Sequence, residues 1–277
     1  MGMRVTTNVA SINAQRVMAG TQREMGRSLA QLSSGSRITK AADDAAGLSI
    51  SEGLKSQIRS LSTAQRNAND GISMVQVAEG GLNELSSILT RVRELGIQAS
   101  SDTVGERERG FINKEVVQLR SEMQRIAETT RYGTTNLIDG TGGVFDFQVG
   151  VNNHEFQDRI SYNSGETAAT TDALNIAGLD FSTKAGAQEA LSSVDEAQVK
   201  VNGFRANLGA LQNRLMSTSD NLGVTYENLS AANSRIRDTD IAASSAELTR
   251  NNILLSASTS VLSQANVQPQ LALKLIA

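Results

Sequence analysis

The chain has 277 residues, with 26 Lys plus Arg against 29 Asp plus Glu, for a formal net charge of −3. It has no cysteine, no tryptophan, one proline (Pro269), one histidine (His154) and only 3% aromatic residues. The mild acidity argues against a nucleic-acid partner. The missing thiols exclude disulfides and thiolate metal sites, and no apolar run approaches the roughly 20 residues needed for membrane insertion. What remains is rich in Ala, Ser, Asn, Gln and Leu and nearly free of proline, which suits long uninterrupted helices packed lengthwise.

The first residues, Met1-Gly2-Met3-Arg4-Val5-Thr6-Thr7-Asn8, contain no apolar stretch and no small-residue cleavage site, so a cleaved secretory signal is not expected. Composition leaves two origins open: a cytoplasmic protein, or export by a route that does not cleave its cargo. Val5, Val9 and Ile12 open a helical pattern, which Met18, Met25, Leu29 and Leu32 continue one residue out of phase.

A seven-residue repeat follows: Leu54, Leu61, Ala68, Val75, Leu82 and Leu89, with Ile58 and Ile72 at alternate second-seam positions. It predicts a helix over 44–99 whose apolar stripe stays turned toward a partner helix. Ile112, Val116, Leu119, Met123 and Ile126 predict a shorter helix over 104–129, with Thr103 and Glu106 at the capping-box spacing. The segment 133–183 is Gly-rich. Val144-Phe145-Asp146-Phe147-Gln148-Val149 alternates as a half-buried strand does, Arg159–Tyr162 is a candidate second strand, and Asp139-Gly140 is a turn signal. Val194, Val201, Leu208, Leu215, Leu222, Leu229 and Ile236 then predict a helix over 184–237, capped by Ser182 or Thr183. Last, Ile241, Leu248, Leu255 and Leu262 repeat every seven residues, with the mostly polar Ser244, Asn251, Ser258 and Ala265 between them.

The expected fold is mainly α: a long antiparallel, coiled-coil-like helical rod built from the N- and C-terminal halves, with a small β-hairpin region at one end. Three parts are expected. They are terminal helices 1–40 plus 239–277, a rod domain 41–132 plus 184–238, and a small variable region 133–183. The terminal stripe formed by Val5, Val9, Ile12, Leu248, Leu255 and Leu262 is thin. At about 25 cal/mol per Å² it offsets ordering entropy poorly, so the termini are expected to be disordered in a monomer and to fold on assembly. The alternative is an ordinary solvated amphipathic helix.

No catalytic, cofactor or metal site is expected. His154-Glu155 begins like HExxH, but the fifth position is Asp158, and one histidine without cysteine makes neither a transition-metal site nor a nucleophile–base system. Asp43 and Asp44 point about 100° apart on a helix and suit its N-terminus better than acid–base chemistry. One surface stands out. Arg91, Leu95 and Gln98 lie at about 200°, 240° and 180° around the helix axis from Leu89, facing away from the seam. A solvated face with a stray leucine is one reading; a contact face is the other.

Several long motifs resemble those of bacterial flagellins, in the family's order at both ends. They are Asn8-Val9-Ala10-Ser11-Ile12-Asn13-Ala14-Gln15-Arg16, Ile38-Thr39-Lys40-Ala41-Ala42-Asp43-Asp44-Ala45-Ala46-Gly47-Leu48-Ser49-Ile50, Leu89–Leu95, Ser234–Ala242 and Leu262–Asn266. The resemblance spans about residues 1–150 and 184–277. It implies a filament subunit of minimal form: the termini pair at the filament core, the central helices form the next shell, and only 133–183 is left for an outer insert. It also implies unfolded export through the flagellar type III apparatus with a chaperone, assembly under a cap protein, and an extracellular location. By the same resemblance Arg91, Leu95 and Gln98, joined by Glu115, match a patch that packs between protofilaments and that Toll-like receptor five recognises. Two other readings stay open: a hook–filament junction protein of related architecture, and a cytoplasmic coiled-coil scaffold.

Overall fold

The structure is a computed structural model in which residues 7–276 are described, with side chains described through Val267. In chain order the elements are α1 (Val9–Ser34), α2 (Ala45–Ala99), α3 (Glu106–Thr129), β1 (Arg131–Tyr132), β2 (Thr135–Asn136), β3 (Val144–Gln148), α4 (Glu155–Asp158), β4 (Arg159–Asn163), a 3-10 turn (Ser164–Thr167), α5 (Lys184–Arg237) and α6 (Ile241–Ile276). Two compact units result, one from Met1–Ser56 with Asn228–Ala277, the other Gln57–Glu227.

In the Gln57–Glu227 unit, α2 buries Leu61, Ala64, Ala68, Met74, Val75, Ala78, Leu82, Leu85, Leu89, Val92 and Ala99. Most of these steps are of three and four residues, which keeps one stripe facing inward along the helix. α5 answers with Ala187, Ala190, Val194, Ala197, Val201, Leu208, Leu215 and Leu222. Arg93 meets Asp195 at 2.7 Å and Asn69 meets Ser219 at 3.5 Å, so the two helices run antiparallel. Each fully buried leucine contributes about 1.5–3 kcal/mol before entropy is subtracted. α3 runs back along α2 and buries Ile112, Val116, Met123 and Ala127.

The start of α5 is capped as the sequence suggests, with the Thr183 hydroxyl accepting from the Gly186 N–H at 3.1 Å. The start of α3 is not. Gly105 is the cap residue and makes no side-chain cap, while the Thr103 hydroxyl is bonded to Ser101 at 2.7 Å. Thr103 is therefore spent on the preceding turn, and Glu106 is the first residue of the helix.

β3 and β4 pair antiparallel from Val144↔Asn163 to Gln148↔Arg159. This hairpin lies on the flank of α2: the Asn67 amide donates to the Gln148 carbonyl at 3.0 Å, and a Cβ on Gly71 would come within 3.0 Å of the Phe147 ring. Asp139-Gly140 does form a turn, with Gly140 at φ +84° and Asp139 accepting from the Thr141 N–H at 2.9 Å. Residues 168–181 then return along α3 as a strap. Gln124 accepts from the Thr171 N–H, Arg120 donates to the Ala177 carbonyl, and Asn113 accepts from the Phe181 N–H. Beneath it lie the buried Ala169, Leu174, Ile176 and Phe181.

Leu95 corrects the expected assignment of faces. It is 2% exposed and belongs to the core. Its angle of about 240° from Leu89 is right, but the buried arc of α2 is wider than one seam. Arg91, at about 200°, reaches α3, so α3 covers the edge of α2 on which Leu95 sits.

In the unit of Met1–Ser56 with Asn228–Ala277, α1 packs against α6. On α6 the inward positions are Ser244, Leu248, Asn251, Leu255, Ser258, Leu262 and Ala265, the repeat expected from the sequence. On α1 they are Ser11, Ala14, Met18, Thr21, Met25, Ser28 and Leu32. Val9, Ile12 and Leu29 therefore lie off this seam, at 65%, 58% and 58% exposure. The apparent phase break in the apolar pattern arises because Ser11, not Ile12, is in register with Met18. Val5 lies outside the described residues.

Candidate assembly surfaces

The α1–α6 pair carries apolar residues on both its seam and its outer face, and the seam is partly polar. Its buried positions include Ser11, Ser28, Gln31 and Ser244, and its closest ties are polar. The Asn8 amide donates to the Ala265 carbonyl at 2.8 Å, and the Ser11 hydroxyl donates to Asn266 Oδ1 at 2.9 Å. Val9, Ile12, Val17, Ile241, Ile253 and Val261 point outward, each more than half exposed. Leu248, Leu255 and Leu262 are only half-buried against α1. Hydrophobic periodicity marks this seam on α1 at Met18, Met25 and Leu32, but not at the first turn, where Ser11 holds the register position.

Where α1 ends and α6 begins, the chain meets itself at an isolated antiparallel bridge. Gly35 takes the left-handed conformation at φ +68°, Ser36 pairs with Asp238, and the Arg37 N–H donates to the Arg237 carbonyl at 2.6 Å. The Asp43-Asp44 pair is structural. Asp44 accepts from the Gly47 N–H at 2.8 Å and caps α2. Asp43 gathers the Thr39 hydroxyl at 2.8 Å and the N–H groups of Lys40 and Thr39 at 3.0 and 3.1 Å, with Arg27 at 3.7 Å. The Thr39 hydroxyl above all, then these amides, hold the Asp43 carboxyl below its ordinary 3.8. A depressed carboxylate contributes stability that is present above its unfolded value and lost as pH falls through the folded one. Acid below about pH 4 is therefore expected to loosen the 39–43 loop, read as faster amide exchange at Thr39 and Lys40. Asp43→Asn should exchange fast at every pH. Unchanged protection down to pH 2 would show that the carboxylate does not hold the loop.

On α2 and α3, Arg91 donates to Glu115 Oε1 through Nε at 3.1 Å and Nη2 at 2.9 Å, and to Glu94 at 3.1 Å. Arg91, Gln98 and Glu115 are exposed; Leu95 is beneath them in the core. The exposed pair adds little to stability and leaves its charges fixed at the surface. Two phenylalanines are also exposed, and no sequence pattern marks them. Phe111 on α3 is 61% exposed, with the Lys114 ammonium 5.7 Å from its ring centre, and Phe156 is 86% exposed. Phe111 precedes the seam residue Ile112, so a helical wheel would have put it outside.

Nothing in this layout resembles a reaction centre. Among the described residues no three His, Cys, Asp or Glu side chains gather as metal ligands, and no helix is long and apolar enough to cross a membrane. Long paired helices, with a terminal pair that keeps apolar residues on its outer face, define a structural class of protein.

Similarity gives the family. Residues 5–142 match the bacterial flagellin N-terminal helical region, and residues 191–276 match the bacterial flagellin C-terminal helical region. The chain is 43% identical to a flagellin of Halalkalibacterium halodurans over 99% of its own length and 100% of that protein's. It is 39% identical, over the same shares, to the flagellar filament core protein flaB2 of Brachyspira hyodysenteriae and to a flagellin of Bacillus subtilis. A crystal structure of Bacillus cereus flagellin superposes with a TM-score of 0.51 at 28% identity, covering 57% of this chain and 88% of that one. The chain belongs to the bacterial flagellin family, and it is a structural filament protein rather than an enzyme.

Proposed function

We propose that copies of this chain polymerise by burying the outward apolar residues of α1 and α6 against neighbouring copies, outside the cell. The outward apolar residues carry this reading: Val9, Ile12 and Ile253 are exposed while Ser11, Ser28 and Ser244 are buried. A helix pair meant to stand alone in water has the opposite polarity. The part boundaries expected from the sequence, 1–40 with 239–277, 41–132 with 184–238, and 133–183, then correspond to polymer core, supporting helices and surface. The terminal pair, held by Leu248, Leu255, Leu262 and a polar seam, is marginal alone and becomes ordered on assembly. Export unfolded through the type III route, with a chaperone, and growth under a cap protein agree with the family resemblance. So does a contact face formed by Arg91, Gln98 and Glu115 over the buried Leu95, available to Toll-like receptor five only in dissociated subunits.

The test is limited proteolysis of monomer and filament side by side. Residues 1–40 and 239–277 should be cut in monomer and protected in filament; equal protection in dilute monomer would overturn the reading. A junction protein is the second reading. The fold likeness behind it is to a putative flagellar hook-associated protein from Vibrio parahaemolyticus, with a TM-score of 0.58 at 13% identity, covering 71% of this chain and 100% of that one. Electron microscopy of sheared cell material separates the two, because a junction protein would be missing along long filaments.

A further inference from the structure

The hairpin tip carries an apolar knob at one end of the Gln57–Glu227 unit. The chain runs down the flank of α2 from Ile138 beside Gly81, through Phe147 beside Gly71, to Gln148 bonded to Asn67, so the hairpin tip 149–158 continues toward the Gln57 end. This tip is fixed rather than loose. The Val149 and Gly150 N–H groups donate to the Asp158 carbonyl at 2.8 and 3.0 Å. The buried Asp158 carboxylate accepts from the His154 N–H at 2.9 Å. Arg159 holds Asn153 at 2.5 Å. From this rigid base Phe156 projects at 86% exposure, with Glu155 preceding it in the chain and the exposed Val151 on the same tip. Leaving a phenylalanine so exposed on an ordered loop wastes its burial energy unless something covers it.

A complementary surface lies at the other end of the same unit. Arg109 donates to the Ala99 carbonyl at 2.8 Å and Arg91 to Glu115, which fixes Phe111 beside α2 between those levels. From Asn67 to Ile97 is about 45 Å along α2 at 1.5 Å per residue. Phe111 presents an exposed ring with the Lys114 ammonium over it. Among the described residues, neither Lys114 nor Glu155 forms an ion pair within the chain. The knob is thus Phe beside an acid, and the receiving surface is Phe beside a base.

We infer that Phe156 of one copy seats on Phe111 of the next, with Glu155 facing Lys114. The contact joins two different surfaces at opposite ends of one unit, so it does not close on itself and adds copies in a line. The preformed tip lowers the ordering cost. This rests on the reading that the chain polymerises, and it gives the variable hairpin a part in the polymer instead of leaving it as surface decoration.

The native chain has no cysteine, which makes cross-linking unambiguous. Phe156→Cys and Phe111→Cys variants are each copolymerised with excess wild type, then with one another, and the filaments are oxidised. The mixed filaments should give a disulfide-linked dimer that neither variant gives alone. Well-formed mixed filaments without that dimer would overturn the inference while leaving polymerisation intact, and so would equal dimer from Phe156→Cys alone. Failure of the wild type itself to form filaments would overturn polymerisation, and the inference with it. As a second readout, Phe156→Ala should raise the critical concentration roughly tenfold. Glu155→Lys and Lys114→Glu should each raise it, and the pair together should restore it. An unchanged critical concentration for Phe156→Ala, with helicity intact, would also overturn the inference.

Discussion

Leu95→Asp is expected to unfold the Gln57–Glu227 unit. Leu95 is 2% exposed where α2 meets α3, and aspartate there removes a packed side chain and places a carboxylate in the core. The lost packing alone costs about 2–5 kcal/mol, and burying an unpaired charge adds several more unless the site opens to water. That is comparable with the roughly 5–15 kcal/mol that holds a typical domain together. Thermal unfolding followed by circular dichroism should show the transition lowered by tens of degrees or lost. Gln98→Ala, one turn away and exposed, should leave it within a degree or two. A Leu95→Asp protein with native melting would mean that α3 does not cover this edge of α2. The contrast separates a residue that holds the core from exposed residues above it.

The second large effect lies at the termini. Val9→Ser, Ile12→Ser and Ile253→Ser together should leave monomer helicity unchanged, because all three side chains are more than half exposed in the α1–α6 pair. In the polymer they would be buried. Each then contributes at most about 1.5–3 kcal/mol, so losing the three should raise the critical concentration by roughly 100-fold or more. Light scattering during seeded growth measures it. Leu248→Ala with Leu255→Ala and Leu262→Ala should also block growth, because those leucines face α1 in a pair that orders only on assembly. Monomer helicity should again change little. Equal growth of the Val9/Ile12/Ile253 variant and wild type would show that the outward residues remain in water after assembly.

The long helices were legible because a seven-residue repeat leaves no other place for its apolar stripe. The span 184–237 matches α5, and 44–99 exceeds α2 by one residue. The hairpin strands were legible from alternation and from the Asp139-Gly140 turn. Two things were not. A helical wheel assumes one partner, whereas α2 packs against both α3 and α5, so Leu95 looked exposed. On α1 the seam alternates Met18, Met25 and Leu32 with Ser11, Thr21 and Ser28, and at the first turn only a serine marks it, so the apolar pattern of Val9 and Ile12 points to the wrong face. In both cases neighbouring elements decided the burial, and the local pattern does not encode them. Phe111 and Phe156 drew no attention because neither belongs to a repeat.

The strap over α3 has a consequence for how this chain can diverge. Asn113, Arg120 and Gln124 grip residues 171–181 at least partly by main-chain atoms, the Phe181 N–H, the Ala177 carbonyl and the Thr171 N–H. A segment fastened by its backbone keeps its path whatever its outward side chains become. Asp172, Ala173 and Ala177 are exposed, so they can drift freely in charge and size. Asn175, at φ +62°, is the exception, because only glycine, asparagine and aspartate accept that conformation readily. The outer face of the molecule can thus change its appearance to an antibody while the helices beneath it stay fixed, with drift barred at one exposed position.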